Sequence, residues 1–324
     1  MRPVSFPTSA LVSLLALAAC DRAATRLDPI EIPTPSLPPP EALSEPPAAP
    51  PRGPDPREPK RGLWVWTLGR NGPEAERAAE LAASWGVGRV FLKASNGDDE
   101  ARWAKNFNPG TIAPFLKRGI EVWAFGYVYG EGVPDASGRT WGTMKAQGDA
   151  LARVALQEGV SGIVVDAEIE LVGRPDDAAR LCAMLRARIA DHERRAGLAP
   201  GSVLLAYTTF GWLDAHPGFP YEAFDAGCGD AFLPQVYYAF GWPGGVEGSL
   251  ERMRDQIRRR GLRAPVWPIQ SNERDPDVDR LQRFFELAGP DASVFYLHLE
   301  GSPQNEKLGL LEWRKERASS LRRP

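Results

Sequence analysis

Two acidic residues lie close together on a segment that is typical of a buried β-strand. Residues 162–170 read Gly-Ile-Val-Val-Asp-Ala-Glu-Ile-Glu. Since side chains alternate along a strand, Asp166 and Glu168 share one face with Val164, and the other face is wholly apolar. The apolar face must pack against helices, so both carboxyl groups should point inward, with backbone positions about 7 Å apart.

A pair of buried carboxyl groups can supply acid catalysis. Mutual repulsion and burial should raise the pKa of one member, and the protonated member can then act as a general acid. Two other interpretations are open: a solvated acidic strand end, or a buried ion pair with Lys93 on another predicted strand. The chemistry therefore depends on the fold that surrounds the pair.

The chain from residue 63 to residue 299 alternates short β-rich runs with helical patterns. Eight strands alternating with helices over about 260 residues is the size of a TIM barrel, so we predict an α/β fold with a single (β/α)8 barrel over residues 61–324. A doubly wound open sheet would normally carry a Gly-rich phosphate loop after its first strand, and residues 69–72 (Gly-Arg-Asn-Gly) are not one. The predicted strands cover residues 63–68, 88–94, 120–128, 161–168, 203–209, 231–238, 265–270 and 293–299. The predicted helices cover residues 74–84, 111–118, 144–157, 176–196, 248–260, 277–288 and 305–319, with at most a short helix near 221–225.

Polar and aromatic residues are predicted at the carboxyl ends of several strands, where TIM barrels carry their active sites. Any one of these aromatic residues could belong to the core instead. Together they would form a mouth of aromatic faces, amides and carboxylates, which suits sugars because their C–H faces stack on aromatic rings and their hydroxyls seek polar partners. The candidates for substrate binding are Trp66, Lys93, Tyr207, Gln235, Tyr237, Trp267 and Gln270, and the eighth strand is predicted to present Val294, Tyr296, His298 and Glu300 on one face.

The segment Asp166-Ala167-Glu168 resembles the Asp-x-Glu signature on the fourth strand of TIM-barrel glycoside hydrolases, including the family 25 lysozymes and the family 18 chitinases. Residues 216–221 and 233–238 also resemble glycosidase-like barrels of bacteria and their phages. The resemblance implies that Glu168 protonates the glycosidic oxygen. It further implies that Asp166 orients the substrate's 2-acetamido group as an internal nucleophile, and that Tyr237 and Gln235 hold that group.

The sequence departs from these families in two ways, and it also leaves the assignment of the acid open. The lysozyme-type families carry an acid on strand one, and residues 62–68 contain none. The chitinase signature has further Asp residues where this chain has Ser161 and Val164. In another register Glu170 would be the acid, and Glu300 could be a second carboxylate across the mouth.

Other kinds of chemistry have little support in the sequence. The net charge is only −3, and no basic run is interleaved with aromatic residues, so nucleic acid is not expected as a partner. The three His residues form no cluster with metal-ligand spacing, and no cofactor or metal is expected. No Ser lies in a G-x-S-x-G elbow. A bridge between Cys182 and Cys228 is tolerated outside the cytoplasm, but nothing in the sequence requires one, and none is expected.

The amino terminus has the pattern of a secretion signal. Arg2 precedes an apolar run that is too short to span a bilayer, and the run ends Leu-Ala-Ala before Cys20. This resembles the lipobox of bacterial lipoproteins, which implies cleavage after residue 19 and a membrane anchor on Cys20. Residues 20–60 hold thirteen of the 31 prolines and predict a disordered, extended linker.

The sequence therefore predicts an exported lipoprotein, facing the periplasm or the cell exterior, with a glycosidase-like barrel. The favoured activity is hydrolysis of an N-acetylated polysaccharide, with peptidoglycan the first candidate, by a monomer without a cofactor. A barrel that binds a glycan or a protein without cleaving it is the alternative. A third interpretation is a different barrel enzyme, such as a deacetylase or a lyase.

Overall fold

Eight parallel strands pair in chain order and close through β1 and β8 in the computed structural model of the chain. The structure describes residues 60–68, 73–241, 243–271 and 278–298. The predicted (β/α)8 barrel is confirmed, while Cys20 and the linker lie outside the described residues. The strands are β1 (Gly62–Thr67), β2 (Arg89–Asn96), β3 (Glu121–Val128), β4 (Val160–Ala167), β5 (Leu204–Phe210), β6 (Phe232–Gln235), β7 (Ile269–Ser271) and β8 (Ser293–His298). The helices are α1 (Pro73–Ser84), α2 (Pro109–Lys117), α3 (Met144–Ala155), α4 (Pro175–Ala196), α5 (Tyr221–Cys228), α6 (Gly245–Arg260) and α7 (Val278–Ala288).

The strands divide the apolar side chains into two layers. In β4, Ile163 and Val165 belong to the layer between sheet and helices, whereas Val164 belongs to the cluster inside the barrel. This is the alternation predicted for the strand, and it directs Asp166 inward with Val164. The barrel interior is filled by Trp64, Phe91, Trp123, Phe125, Val164, Ala206, Ala231, Leu233 and Ile269.

Two strands have the opposite phase to the one predicted. In β5, Tyr207 is paired with outward Val165 and stacks on Phe224 of α5, with ring centroids 5.6 Å apart. In β8, Val294 packs outward, and Phe295 packs against the interior cluster. Both strands carry large apolar residues on each face, so the alternation of residues alone does not show which face points into the barrel.

Several helices begin and end at residues that are typical of helix ends. Asn108 caps α2 by accepting hydrogen bonds from the backbone N–H groups of Gly110 and Thr111. The long helix α4 begins at Pro175 and ends at Ala196, and Gly197 caps it with a φ of 66°, which suits a residue without a side chain. Within the described part of the chain, no helix is both long enough and apolar enough to span a membrane.

A disulfide joins Cys182 of α4 to Cys228 of α5, with Cα atoms 5.4 Å apart. The expectation that no bridge forms was wrong. The short helix expected near residues 221–225, between β5 and β6, is present and extends to Cys228, which it carries against α4. Gly227 permits this approach, because a Cβ at that position would lie 2.6 Å from the Cβ of Cys182.

The amino-terminal end of the barrel is closed by a buried charge. Arg89 is 1% exposed, and its guanidinium contacts Glu121 at 2.8 Å and Asp291 at 3.1 Å. The same guanidinium lies 4.2 Å from the ring centroid of Trp267 and 5.4 Å from that of Trp123. Aromatic rings and acids thus hold one cation at the end of the barrel opposite to the strand carboxyl ends.

We expect Arg89→Met to lower the free energy of unfolding by about 2 kcal/mol. Removing one member of a buried ion pair leaves its partners uncompensated. The cost is reduced here because Asp291 is partly exposed and Glu121 keeps Lys60 at 3.3 Å. Urea denaturation measures the difference.

The matched control is Arg118→Met, since Arg118 pairs with Glu76 and Glu80 on the surface. Exposed ion pairs contribute about 0–1 kcal/mol. An equal loss of stability in the two variants would contradict the importance of the buried cation.

Candidate active site

A cleft of about 370 Å³ opens at the carboxyl-terminal end of the barrel. Its position follows from the parallel topology, which brings the carboxyl ends of all strands to one rim. Five of the residues predicted for a site are brought together here: Trp66, Asp166, Glu168, Gln235 and Tyr237. The complete lining consists of Trp64, Trp66, Asp166, Glu168, Thr208, Phe210, Gln235, Tyr237, Ile269 and Phe295.

Gln235, the last residue of β6, joins the two acids. Its Nε2 donates to Glu168 Oε1 at 3.1 Å and to Asp166 Oδ1 at 3.4 Å. One amide group thereby holds both carboxyls within reach of the same part of the cleft. Asp166 is 6% exposed and Glu168 is half-buried, so Glu168 is the more accessible acid.

Burial raises the pKa of Asp166 well above its ordinary value, and the charge of Glu168 raises it further. The Lys93 ammonium acts in the opposite direction. The prediction that one member of the pair has a raised pKa is therefore confirmed, and the member is Asp166. Such a carboxyl holds its proton at a pH where a free Asp is ionised, and it can donate a hydrogen bond in the cleft.

We expect Asp166→Asn to stabilise the fold at pH 7 by about 1–2 kcal/mol, as often happens when a strained active-site charge is removed. Because the folded-state pKa is raised, the carboxyl favours folding only while protonated, and this contribution is lost as pH rises through the folded pKa. The advantage of the Asn variant should therefore shrink as pH falls from the folded-state pKa toward about 4, and it should be gone below that, where the unfolded chain also holds the proton. Thermal denaturation at pH 7 and at pH 3.5 tests this, and an equal difference at both would contradict it.

Glu170 lies on a short 3₁₀ helix, Ile169–Leu171, immediately after the strand and is not part of the cleft lining. Its Oε2 accepts a 2.7 Å hydrogen bond from the hydroxyl of Tyr127. Burial raises the pKa of Tyr127, and the charges of Glu168 and Glu170 raise it further, so the phenol stays a donor. The alternative acid Glu170 is thus engaged by Tyr127 and lies outside the cleft lining.

Lys93 lies behind the cleft and not in it. Its side chain is fully buried, and its Nζ lies 3.3 Å from the centroid of the Trp66 ring. Among the described residues, the Nζ has no hydrogen-bond partner. The alternative of an ion pair in direct contact with the acids is therefore not what the structure has.

Three residues predicted to bind substrate lie away from the cleft. Tyr207 faces the helices, with its hydroxyl 3.5 Å from Asp225. Trp267 packs on Arg89 at the opposite end of the barrel. Gln270 is buried, accepting from the backbone N–H of Tyr238 and donating to the carbonyl of Ser271. Sequence reasoning misplaced Trp267 and Gln270 because the short strand β7 shows no clear alternation, and it misplaced Tyr207 because both faces of β5 carry large apolar residues. Glu300 is outside the described residues.

Thr208 and Phe210 were missed by sequence reasoning. Thr208 is in register with Asp166, and its hydroxyl donates to the carbonyl of Leu233 at 2.6 Å. Phe210 forms one wall of the cleft and is backed by the stacked ring of His216, with centroids 3.5 Å apart. Burial lowers the pKa of His216. The register of β5 against β4 was the information needed to find both residues, and the sequence does not contain it.

In the described part of the chain, no group of three or more His, Cys, Asp or Glu side chains is arranged to hold a metal ion. The chemistry that the cleft itself can supply is proton donation and acceptance by two carboxyls, with an amide and aromatic rings around them.

Solved structures share this fold. The glycoside hydrolase domain of PgaB (BpsB) from Bordetella bronchiseptica is 10% identical with a TM-score of 0.55, and the alignment covers 77% of this chain and 98% of that one. The chitinase-like agglutinin RobpsCRA from Robinia pseudoacacia is 11% identical with a TM-score of 0.52, over 77% and 98% of the two chains. A β-galactosidase from the psychrophilic Marinomonas ef1 is 10% identical with a TM-score of 0.53, over 77% and 58%. No protein-family model and no curated protein sequence matches the chain.

Proposed function

We propose that this protein is a glycoside hydrolase that cleaves an N-acetylated polysaccharide, with peptidoglycan the first candidate. The observation that carries the proposal is the convergence of Asp166, Glu168 and Gln235 on one open cleft with aromatic walls. The glycosidases among the proteins of similar fold support it. A volume of about 370 Å³ is within the ordinary range of a small-molecule site.

In the proposed mechanism Glu168 is the general acid. It is the more accessible of the two carboxyls, so it can reach the oxygen of the glycosidic bond and protonate it as the bond breaks. On substrate binding, Asp166 would give its proton to Glu168 and, as a carboxylate, accept a hydrogen bond from the N–H of the substrate's 2-acetamido group, which orients that group. The acetamido oxygen would attack the anomeric carbon, which explains how a site can act without a second carboxylate as nucleophile.

Tyr237 and Gln235 would hold the acetamido group, and Trp66 would offer a ring to the sugar. Gln235 already positions both acids, so a substrate that binds to it meets them in fixed geometry. Fixed donors around the reacting atoms stabilise charge as it develops, because no reorganisation is needed during the reaction.

The test is incubation of the purified protein with peptidoglycan and with chitin oligosaccharides, followed by measurement of new reducing ends. Matched substrates with the acetyl groups removed serve as the control. The proposal expects cleavage of the acetylated substrates and little cleavage of the others, since removal of the acetyl group removes the internal nucleophile. Equal cleavage of both would overturn the substrate-assisted mechanism, and cleavage of neither would overturn the activity.

A second candidate function is glycan binding without cleavage. The absence of an acid on β1 and the fold shared with a chitinase-like agglutinin favour it. Equilibrium binding of the same oligosaccharides distinguishes the two functions. Binding without turnover that is unaffected by Glu168→Gln and weakened by Trp66→Ala would favour the binding module.

We also propose that the protein is an exported lipoprotein attached through Cys20. The disulfide between α4 and α5 supports an oxidising compartment. A Pro-rich linker of about 40 residues at about 3.1 Å each could hold the barrel on the order of 100 Å from a membrane, a reach that suits a wall polymer. Metabolic labelling with a fatty acid should mark the wild-type protein and not Cys20→Ser. Equal labelling of both would contradict the anchor.

A further inference from the structure

The strands β1 and β2 separate at the carboxyl-terminal end of the barrel. The last residues that pair between them are Val65 and Leu92. On their other sides, β1 stays paired with β8 as far as Thr67, and β2 stays paired with β3 as far as Asn96. The backbone groups where β1 and β2 part need other partners, because a buried N–H or C=O group is costly to leave unpaired.

The side chain of Asn106 supplies partners for three of these groups. Asn106 belongs to the segment between β2 and α2 and is 6% exposed. Its Nδ2 donates to the carbonyl of Lys93 on β2 at 2.8 Å and to that of Trp66 on β1 at 3.3 Å. Its Oδ1 accepts from the backbone N–H of Leu68 at 2.8 Å. One amide group thus takes the place of the backbone pairing that ends between the two strands.

Trp66 is the residue through which this bridge can affect the cleft, since its ring is one of the cleft walls. Trp103 packs perpendicular to that ring, with centroids 5.9 Å apart, and the Nζ of Lys93 lies 3.3 Å from the ring centroid. The backbone N–H of Asn106 donates to the carbonyl of Trp103 at 2.8 Å, so one turn of the chain carries both contacts. The backbone and the ring of Trp66 are therefore held by residues that lie outside the cleft lining.

A purely structural role is the simpler explanation of an Asn side chain that pairs with backbone groups. Asn108, two residues further along, has such a role, because it caps α2. Its hydrogen bonds go to residues 104–111, none of which lines the cleft. Asn106 differs in that one of its hydrogen bonds ends on a residue of the cleft wall. Asn108 is therefore a matched control for it.

We propose that Asn106 is a positioning residue that sets the place of Trp66 in the cleft wall. It acts through Trp66 on the sugar ring that packs there, and it touches no reacting group itself. Packing on Trp66 holds the bound substrate and the transition state alike, so its loss raises KM more than it lowers kcat. The effect on the sugar rests on the proposed function, whereas the dependence of Trp66 on Asn106 is a property of the free protein.

The first test needs no substrate. Protein labelled with 5-fluorotryptophan gives ¹⁹F NMR signals for its ten tryptophans, and the Trp66 signal is identified by its loss in Trp66→Phe. We expect Asn106→Ala to shift or broaden this signal by more than its wild-type line width. Asn108→Ala should lower the melting temperature, as loss of a helix cap does, and leave the signal in place. An unchanged Trp66 signal in Asn106→Ala would overturn the proposal.

Asn106→Asp separates hydrogen bonding from the volume of the side chain. Asp has nearly the shape of Asn and keeps an acceptor for Leu68, but it can donate to at most one of the two carbonyls, and only when protonated. It should therefore displace the Trp66 signal as well. A signal that moves in Asn106→Ala and not in Asn106→Asp would assign the effect to the cavity and overturn the role of the hydrogen bonds. If Asn106→Ala does not fold, the Asp variant decides.

A double-mutant cycle tests whether Asn106 acts through Trp66. Asn106→Ala alone should raise KM for an N-acetylated oligosaccharide about five- to tenfold, the range of a single aromatic contact, and lower kcat by less than about threefold. In the Trp66→Ala background the same change should raise KM by less than about twofold, because the ring that it positions is gone. Equal rises in KM in the two backgrounds would overturn the proposal.

The two proposals can fail separately. If the oligosaccharide binds without being cleaved, its dissociation constant replaces KM in the cycle, and only the proposed hydrolase fails. If the protein cleaves the oligosaccharide and the Trp66 signal does not respond to Asn106→Ala, only this inference fails. The ¹⁹F result holds whether or not a glycan binds.

Discussion

Glu168→Gln is expected to lower the rate of glycan cleavage about 10³-fold while leaving the fold and the melting temperature close to those of the wild type. A positioned general acid contributes about 10²- to 10⁴-fold, and the amide of Gln cannot donate a proton to the leaving oxygen. Glu168 is half-buried and accepts a hydrogen bond from Gln235, so an amide of the same shape fits the same space. Initial rates on a soluble N-acetylated oligosaccharide measure the effect.

The matched control is Glu170→Gln, two residues further along the chain. Glu170 accepts its hydrogen bond from Tyr127 and is not part of the cleft lining, so its replacement should lower the rate by less than about tenfold. The two acids are chemically identical, and only their places differ. A large loss in Glu170→Gln with nearly full activity in Glu168→Gln would reverse the assignment.

Loss of the disulfide between Cys182 and Cys228 is expected to lower the free energy of unfolding by about 4 kcal/mol. The bridge closes a loop with a sequence separation of 46 residues, and the loop-closure entropy of the unfolded chain gives this magnitude. For a barrel of this size the melting temperature should fall by roughly 8–15 °C. Both cysteines are fully buried, so the double Ala variant avoids placing unpaired hydroxyl groups between α4 and α5.

Reductant provides the internal control for this prediction. The wild type under strong reduction should approach the stability of the double Ala variant, whereas the variant should not respond to reductant. If reductant lowered the stability of the variant as much as that of the wild type, the loss would have a cause other than the disulfide. A wild type that is insensitive to reductant would contradict a stabilising bridge, and with it one support for export to an oxidising compartment.

The barrel could be predicted because apolar residues are spaced differently along its strands and its helices, and because residues such as Pro and Gly mark several helix ends. β4 was the clearest strand, since its outward face is wholly apolar and its inward face carries Asp166, so its phase followed from the sequence alone. The phases of β5 and β8 did not follow, because Tyr207 and Phe295 are large apolar residues on strands whose two faces are both buried. Only the register against neighbouring strands decides such cases.

The site was predictable to the extent that it lies on strands with clear phase. Asp166, Glu168, Gln235 and Tyr237 were found because β4 and β6 show which face is polar. The aromatic rings around Lys93 could not be predicted as a group. They come from three elements: Trp66 from β1, Phe125 from β3 and Trp103 from the segment after β2. Contacts among three elements depend on how the strands are arranged around the closed barrel, and the residues of a single element do not show this.

The central claim is that the cleft hydrolyses a glycosidic bond between N-acetylated sugars. The most direct test is mass spectrometry of the products after incubation of a chitin oligosaccharide with the protein in H₂¹⁸O. Hydrolysis predicts shorter fragments that each retain their acetyl groups and carry one ¹⁸O at the new reducing end, and none of these fragments with Glu168→Gln. Release of acetate from intact chains, unsaturated fragments without ¹⁸O, or an unchanged oligosaccharide that remains bound to the protein would contradict the claim.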